Sequence, residues 1–362
     1  MRSSRLKSHL LAFAPFLAQN FWSPGQPRKV STFCILHRNG VLMTRDKPPG
    51  RRAIGKRLVL AVVVAVAVGL FVLYLMMNPE RKRLDEPVRE QLGGSYLRLS
   101  QGVTHYALEG PEDGHVVVLV HGGTIPMFTW DEISPGLTRA GFRVLRYDMF
   151  GRGRSDRPGV EYNRALYLEQ LVELLGALEL QEPVDVVALS FGGATAVNFT
   201  AHYPDRVRKL ALIAPLVHDY PVPAVVRPPV IGELFARFVG RRMVVDRART
   251  YFGSAESAQR YAALFTEQVS YDGFQSSMLS MLRHDALTDY RDAYATVGAQ
   301  DRRVLLIWGT RDSEITEEMI DTARALIPRV EFHAVDGAGH GIVFQNKRQV
   351  QQLLIDFLRE SE

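Results

Sequence analysis

The chain of 362 residues carries a single cysteine, Cys34, so it can form no internal disulfide and no thiolate cluster for a metal. A basic surface is missing from the part that would form a globular body. Net charge is +5, but residues 1–92 hold 16 Lys and Arg against 5 Asp and Glu, leaving 28 against 34 for residues 93–362. An acidic body without basic stripes and interleaved aromatics offers nucleic acid no electrostatic footprint, so no nucleic-acid partner is expected. No internal repeat is visible. Charge is absent altogether from Leu58 to Met77, LVLAVVVAVAVGLFVLYLMM.

Those twenty residues, as a helix rising ~1.5 Å per residue, match the ~30 Å hydrocarbon core of a bilayer. A buried core helix of that length would carry a polar face. A cleaved signal peptide would end in a small-residue site, whereas the chain continues Met77-Asn78-Pro79-Glu80-Arg81-Lys82-Arg83. Residues 58–77 are therefore expected to be an uncleaved anchor, with the lipid bilayer as a partner of a single-pass membrane protein. Arg45, Lys47, Arg51, Arg52, Lys56 and Arg57 on one flank, against Arg81, Lys82, Arg83 and Arg89 on the other, lead to the expectation that the large C-terminal part lies on the non-cytoplasmic side. A second apolar stretch, Leu10 to Trp22, is broken by Pro15 and Asn20 and is too short to span. Because Met43 precedes a basic segment followed by the apolar run, the first 42 residues are either a true extension or an over-long start.

Beyond a polar linker, short β-branched runs alternate with longer helical stretches, the pattern of βαβ units and a parallel sheet. Strands are predicted at Tyr96–Leu99, Thr104–Leu108, Val116–Val120, Arg143–Tyr147, Val184–Leu189, Lys209–Ile213, Val304–Trp308 and Glu331–Ala334, the first two as an antiparallel edge hairpin. The runs VVVLV, VDVVAL and VLLIW are apolar almost throughout, as strands covered on both faces must be. Helices are predicted at Leu166–Leu178, Gly192–Tyr203, Glu317–Leu326 and Lys347–Arg359. From Pro215 to Ala299 the strand alternation stops, and Val230–Phe238, Val244–Phe252 and Ala255–Glu267 read as helices of an inserted cap. The division is a basic leader 1–57, the anchor 58–77, a linker 78–92, a core of 93–214 and 300–362, and the cap 215–299.

The strand Val184–Leu189 runs directly into Ser190-Phe191-Gly192-Gly193 and then a helical pattern. Strand, sharp turn, helix is the form of a nucleophile elbow, which needs small residues two before and two after the serine because the two elements pass closely. Ala188 and Gly192 fill those places. His121-Gly122-Gly123-Thr124 follows VVVLV, and its glycines let backbone N–H groups approach an oxyanion. The two donors expected are the amides of Phe191 and Gly123, with His121 read as structural. His340, in Gly337-Ala338-Gly339-His340-Gly341, is the best base, and Asp312, just after Val304–Trp308, supplies the carboxylate that orients it.

The chain from residue 93 onward resembles the α/β-hydrolase superfamily. Besides the elbow and the HGG segment, Tyr147-Asp148-Met149-Phe150-Gly151-Arg152-Gly153-Arg154-Ser155 is similar to the family's D-x-x-G-x-G-x-S turn, and His202-Tyr203-Pro204-Asp205-Arg206-Val207 to the segment leading into its sixth strand. The resemblance implies an α/β-hydrolase fold: a mostly parallel eight-stranded sheet with helices on both faces and an inserted helical cap, here preceded by one transmembrane helix. It implies a triad of Ser190, Asp312 and His340, with Asp148 shaping the turn beside the HGG loop. A serine at the elbow disfavours epoxide opening and halide displacement, for which family members use Asp. The expected activity is hydrolysis of a small-molecule or lipid ester by acyl-enzyme chemistry, requiring neither metal nor organic cofactor. Two alternatives stand beside it: a carbon–carbon bond hydrolase of the same fold, and a non-catalytic membrane-tethered binding or scaffold protein. Met278 and Met281 read equally as acyl-pocket lining and as core.

Overall fold

The structure, a computed structural model, describes residues 51–360 apart from Met77, Pro79 and Ser254. Cys34, the stretch Leu10 to Trp22, the alternative start Met43, the leader up to residue 50 and the last residue of the expected anchor lie outside the described residues.

Helix α1, Arg51–Met76, holds the apolar run. Its portion Gly55–Met76 has mean hydropathy 3.0 and none of it is buried, so by length and composition it is sufficient to cross a bilayer. The stretch expected to be a plain linker contains a second helix, α2, Glu86–Leu92. Asp85 caps it by accepting the Val88 N–H at 3.2 Å, Pro87 sits in its first turn, and Gly93 ends it with φ 63°.

Eight strands follow: β1 Ser95–Arg98, β2 Val103–Glu109, β3 Val116–Val120, β4 Arg143–Tyr147, β5 Val184–Leu189, β6 Val207–Ile213, β7 Val304–Gly309 and β8 Glu331–Val335. They form one sheet in the order β1-β2-β4-β3-β5-β6-β7-β8. β2 is antiparallel to both of its neighbours and the remaining pairs are parallel. This is the α/β-hydrolase fold expected from the sequence. The strand order turns back at β3, and ligand sites of open α/β sheets lie beyond the carboxyl ends of strands at such a reversal.

Alternate side chains of each strand enter cores on opposite faces. Val118, Val120, Val186, Ala188, Leu210 and Leu212 pack on one face, and Val117, Leu119, Val187, Leu189, Ala211 and Ile213 on the other. Burying each Val or Leu contributes roughly 1.5–3 kcal/mol, so the uniformly apolar central strands are what fixes the sheet between two helical layers. The helices α3 Arg164–Ala177 and α4 Phe191–His202 cover the first face.

Between β6 and β7 the chain forms α5 Pro229–Phe235, α6 Arg241–Tyr251, α7 Ala255–Gln268, α8 Phe274–Arg283 and α9 Arg291–Gly298. The first four lie beyond the carboxyl end of β6. Helix α9 instead puts Ala293, Tyr294 and Val297 into the same core as Ala194 and Val197 of α4, so the end of the stretch expected as cap is built into a layer of the core. Helix α10, Glu317–Leu326, is capped by Thr316. Helix α11, Lys347–Arg359, buries Val350, Leu354, Phe357 and Leu358 at helical spacing against the second face.

Candidate active site

β5 delivers Ser190 into the turn that opens α4. The serine takes φ 55° and ψ −123°, a conformation an L-residue holds only under constraint. The Ser190 N–H donates to the Ile213 carbonyl at 3.0 Å, and its own carbonyl accepts from Gly193 at 2.8 Å and Leu216 at 3.0 Å. Ala188 is fully buried. A Cβ on Gly192 would lie 2.4 Å from the His121 carbonyl oxygen and 2.5 Å from that of Val120, so glycine is what allows α4 to pass the end of β3.

His340 enters from the loop after β8, with Nε2 3.1 Å from Ser190 Oγ and Nδ1 2.7 Å from Asp312 Oδ2. The other oxygen of Asp312 accepts the N–H groups of Glu314 and Ile315 at 2.8 and 3.0 Å, which holds the carboxylate in the loop after β7. This network assigns the His340 proton to Nδ1 and leaves Nε2 able to accept from the serine. Burial alone would push the imidazole pKa down. The hydrogen bond and negative charge of Asp312, assisted by Glu314, outweigh burial and raise it above the usual histidine value.

β3 lies beside β5, which brings the glycine loop against the elbow. A Cβ on Gly122 would sit 3.4 Å from Ser190 Cβ, and one on Gly123 3.4 Å from Phe191 Cβ. Phe191 is the first residue of α4, so its amide has no carbonyl to pair with inside the helix. Among the described residues the Gly123 amide has no acceptor in the protein.

His121 is fully buried, with Nδ1 2.6 Å from the Gly122 carbonyl and Nε2 accepting the Met149 N–H at 2.9 Å. Both nitrogens are thereby engaged in tying the end of β3 to the loop after β4. Burial lowers its pKa to about 4, so it is neutral in the fold. Asp148 is buried and accepts from the Met127 N–H at 2.8 Å, the Arg154 N–H at 2.9 Å and His105 Nδ1 at 2.7 Å, which fastens its turn against both neighbouring segments.

Sequence reasoning passed over four side chains beside this constellation. Arg152, fully buried, donates from Nε to the Gly123 carbonyl, from Nη1 to the Gly151 carbonyl at 3.0 Å and to Ser277 Oγ at 3.1 Å. Glu314 Oε2 lies 3.6 Å from His340 Nε2. Arg247 of α6 pairs with Glu314 at 2.6 Å, and Tyr251 hydroxyl donates to the same carboxylate while its ring packs edge-on against His340. The only signal for Glu314 was its position two residues after Asp312. Arg247 sits 67 residues away in the chain and gave none.

Ser190, Phe191 and Gly123 border a cavity of about 550 Å³ whose other walls include Leu216, Val226, Phe235, Met243, Val244, Phe274, Met278, Leu279 and Met281. Both methionines thus line the space, and Met281 is at the same time buried against Arg152.

A family model described as alpha/beta hydrolase fold matches residues 115–347. The 2-hydroxymuconate semialdehyde hydrolase of Pseudomonas sp. (strain CF600) is 27% identical over 259 residues, covering 69% of this chain and 88% of that protein. The 2-hydroxy-6-oxo-2,4-heptadienoate hydrolase of Pseudomonas putida is 29% identical over 255 residues, covering 68% and 89%. Among solved structures, the enol-lactonase from Burkholderia xenovorans LB400 superposes with a TM-score of 0.63 at 22% identity, covering 74% of this chain and 100% of that one.

Proposed function

Because the chain belongs to the alpha/beta hydrolase fold family, we propose that it is a membrane-anchored serine hydrolase that cleaves a lipophilic carboxylic ester through an acyl-enzyme. The observation that carries this reading is the unbroken hydrogen-bond line Ser190–His340–Asp312 opening onto an apolar cavity. His340 Nε2 takes the Ser190 proton as Oγ attacks the ester carbonyl, and the amides of Phe191 and Gly123 receive the oxyanion. The protonated imidazole then gives its proton to the departing alcohol. Water, deprotonated by the same nitrogen, releases the acid and restores the serine. Asp312 holds the imidazole in the tautomer both steps require.

The ester reading draws support from the cavity walls. A dienoate of the kind named in the P. putida relative carries a carboxylate. Arg247 is the basic residue among the cavity walls, and Glu314 already neutralises it. An uncharged acyl chain suits this lining better. The relatives favour a second reading, carbon–carbon bond hydrolysis, which the same serine and histidine would serve. Incubation with an aryl dienoate and with a series of acyl esters separates the two. Turnover of the dienoate without ester activity would establish the second reading.

In this reading α1 is the span, the leader faces the cytoplasm, and the hydrolase body stands on the other side, as the excess of basic residues ahead of the span favours. A protease-protection assay that finds the body shielded in the cytosol reverses the orientation. The chemistry is tested with a fluorophosphonate probe on the detergent-solubilised protein, followed by peptide mapping. Label on Ser190 that disappears in Ser190→Ala is the expected result, and absence of label from the folded protein removes the catalytic reading in favour of a scaffold. Ser190→Ala is expected to lose on the order of 10⁶ in turnover.

A further inference from the structure

Outside α1, the described residues with large exposed apolar side chains are Val160, Tyr203, Val230, Ile231, Leu234, Val239 and Met243. Isolated exposed apolar residues need no explanation. Five of these seven, however, fall within fourteen consecutive residues of the cap, on α5, the turn after it and the start of α6. Their exposures run from 41% for Leu234 to 73% for Val230. A patch of this kind marks an interaction surface.

The same backbone lines the cavity. Phe235, Ala236, Gly240, Met243 and Val244 face the space above Ser190, and Met243 does so while remaining 54% exposed. The cavity therefore reaches the surface at the apolar patch. The one acidic residue in the segment 230–243, Glu233, is neutralised by Arg283 at 2.9 Å, while Arg242 is 90% exposed.

The tether is short. Three residues lie between Met76, the end of α1, and Glu80, so the four Cα steps span no more than about 14 Å of chain. Glu80 accepts the N–H groups of Gly273 and Gln275 at the start of α8, and the amides of Arg81 and Lys82 both donate to the Ser270 carbonyl, at 2.9 and 3.1 Å. Tyr74, in the last turns of α1, accepts a hydrogen bond from Arg237 at 3.1 Å and lies under its guanidinium, and Arg237 stands between Leu234 and Val239. Exposed Arg81, Lys82 and Arg83 stand where lipid head groups would meet the chain.

We infer that the cap segment 229–243 docks on the bilayer that takes α1, seating Val230, Ile231, Leu234 and Val239 at the boundary of head groups and acyl chains, so that the cavity receives substrate from the lipid phase. The inference rests on the reading of α1 as a membrane span. Interfacial helices bury an apolar face about 5–10 Å deep with basic residues at head-group level, and this segment has both features.

The full chain in a Cys34→Ser background is reconstituted into vesicles containing anionic lipid, with an environment-sensitive fluorophore on a single introduced cysteine at Val64, Ile231, Leu234 or Asp301. Each variant is accepted once its unfolding temperature matches the parent. Asp301 is 96% exposed and precedes β7, at the end of the sheet opposite the cap. Lipids bearing a nitroxide near the head group are expected to quench Ile231 and Leu234 at least about twofold more than Asp301, and lipids with a deep nitroxide to quench Val64. Quenching at Val64 with Ile231 and Leu234 no different from Asp301 overturns the docking and leaves the span intact. Shielding of Ile231 and Leu234 from aqueous quencher without lipid quenching assigns the patch to a protein partner or a second copy, which also overturns it. No quenching at Val64 removes the span and the docking together.

Discussion

Arg152 donates from its guanidinium to the carbonyl oxygen of Gly123, and does so from a fully buried position with no carboxylate in ion-pair reach among the described residues. A buried cation without a counter-charge is costly, so its hydrogen bonds to Gly123, Gly151 and Ser277 are what keep it there. The peptide that carries the Gly123 carbonyl adjoins the Gly123 amide, and the arginine therefore sets the orientation of the glycine loop. Replacement Arg152→Met is expected to lower kcat by about 10²-fold, the worth of one oxyanion donor, with a small change in KM. Arg152→Lys, which cannot reproduce the forked donors, should fall on the same side. Steady-state kinetics on a soluble ester, beside thermal unfolding of each variant, checks both.

The raised pKa of His340 fixes the acid limb of the rate profile. The base works only when neutral, so kcat/KM should fall as pH drops through a value above the ordinary histidine figure of about 6.5. Charges on either side of the ring move that limb in opposite directions. Glu314→Gln removes a neighbouring negative charge and should shift the limb to lower pH. Arg247→Met leaves Glu314 uncompensated and should shift it higher. Asp312→Asn should lower the limb furthest and cost about 10⁴ in kcat through loss of the required tautomer. A limb that is the same in all four proteins would show that His340 is not the titrating base.

His121 gives the fold its own acid sensitivity. Its folded pKa of about 4 lies below the unfolded value of 6.5, so the unfolded chain binds the extra proton first. The stability involved is fully present above pH ~6.5 and is lost as pH falls toward ~4, a change of about 3 kcal/mol for this single group. Urea unfolding at stepped pH should show that slope in the parent, and His121→Gln should flatten it while lowering stability at neutral pH.

Gly192 admits no side chain. A methyl group there would meet two backbone carbonyls at 2.4 and 2.5 Å, and backbone cannot yield as a side-chain tip can. Gly192→Ala is expected to cost more than about 2 kcal/mol or to prevent folding. Gly122→Ala meets Ser190 Cβ at 3.4 Å, ordinary contact, and should fold close to the parent. Denaturant midpoints compare the two.

The sheet was readable because its central strands are buried on both faces, and burial of that kind writes itself into the chain as VVVLV or VLLIW without a polar interruption. Ser190 and Asp312 stood out because each comes within three residues of the end of such a strand, in a turn that glycine marks, whereas His340 follows the partly exposed edge strand β8, which carries Glu331 and His333, and stood out through the glycines around it. What escaped depends on distance through space. Helix α2 was taken for linker although Asp85, Pro87 and Gly93 punctuate it, since seven residues carry too little periodicity to register. Helix α8 went unnoticed because its apolar residues face both the cavity and the core. Arg152 was in plain view within the D-x-x-G-x-G-x-S turn, but nothing in that motif says that its guanidinium reaches back to the glycine loop. Arg247 meets Glu314 only because α6 folds over the loop after β7.

The order of the strands has a consequence for how the activity arrives in time. The serine and the glycine loop come from β5 and β3, while the base follows β8, 150 residues later in the chain than the nucleophile. A ribosome releasing this chain therefore exposes the elbow long before the imidazole that would activate it exists. On the proposed mechanism the nascent body is chemically silent, and hydrolysis begins only when the final strand of the sheet has been added and its loop has brought His340 to Ser190.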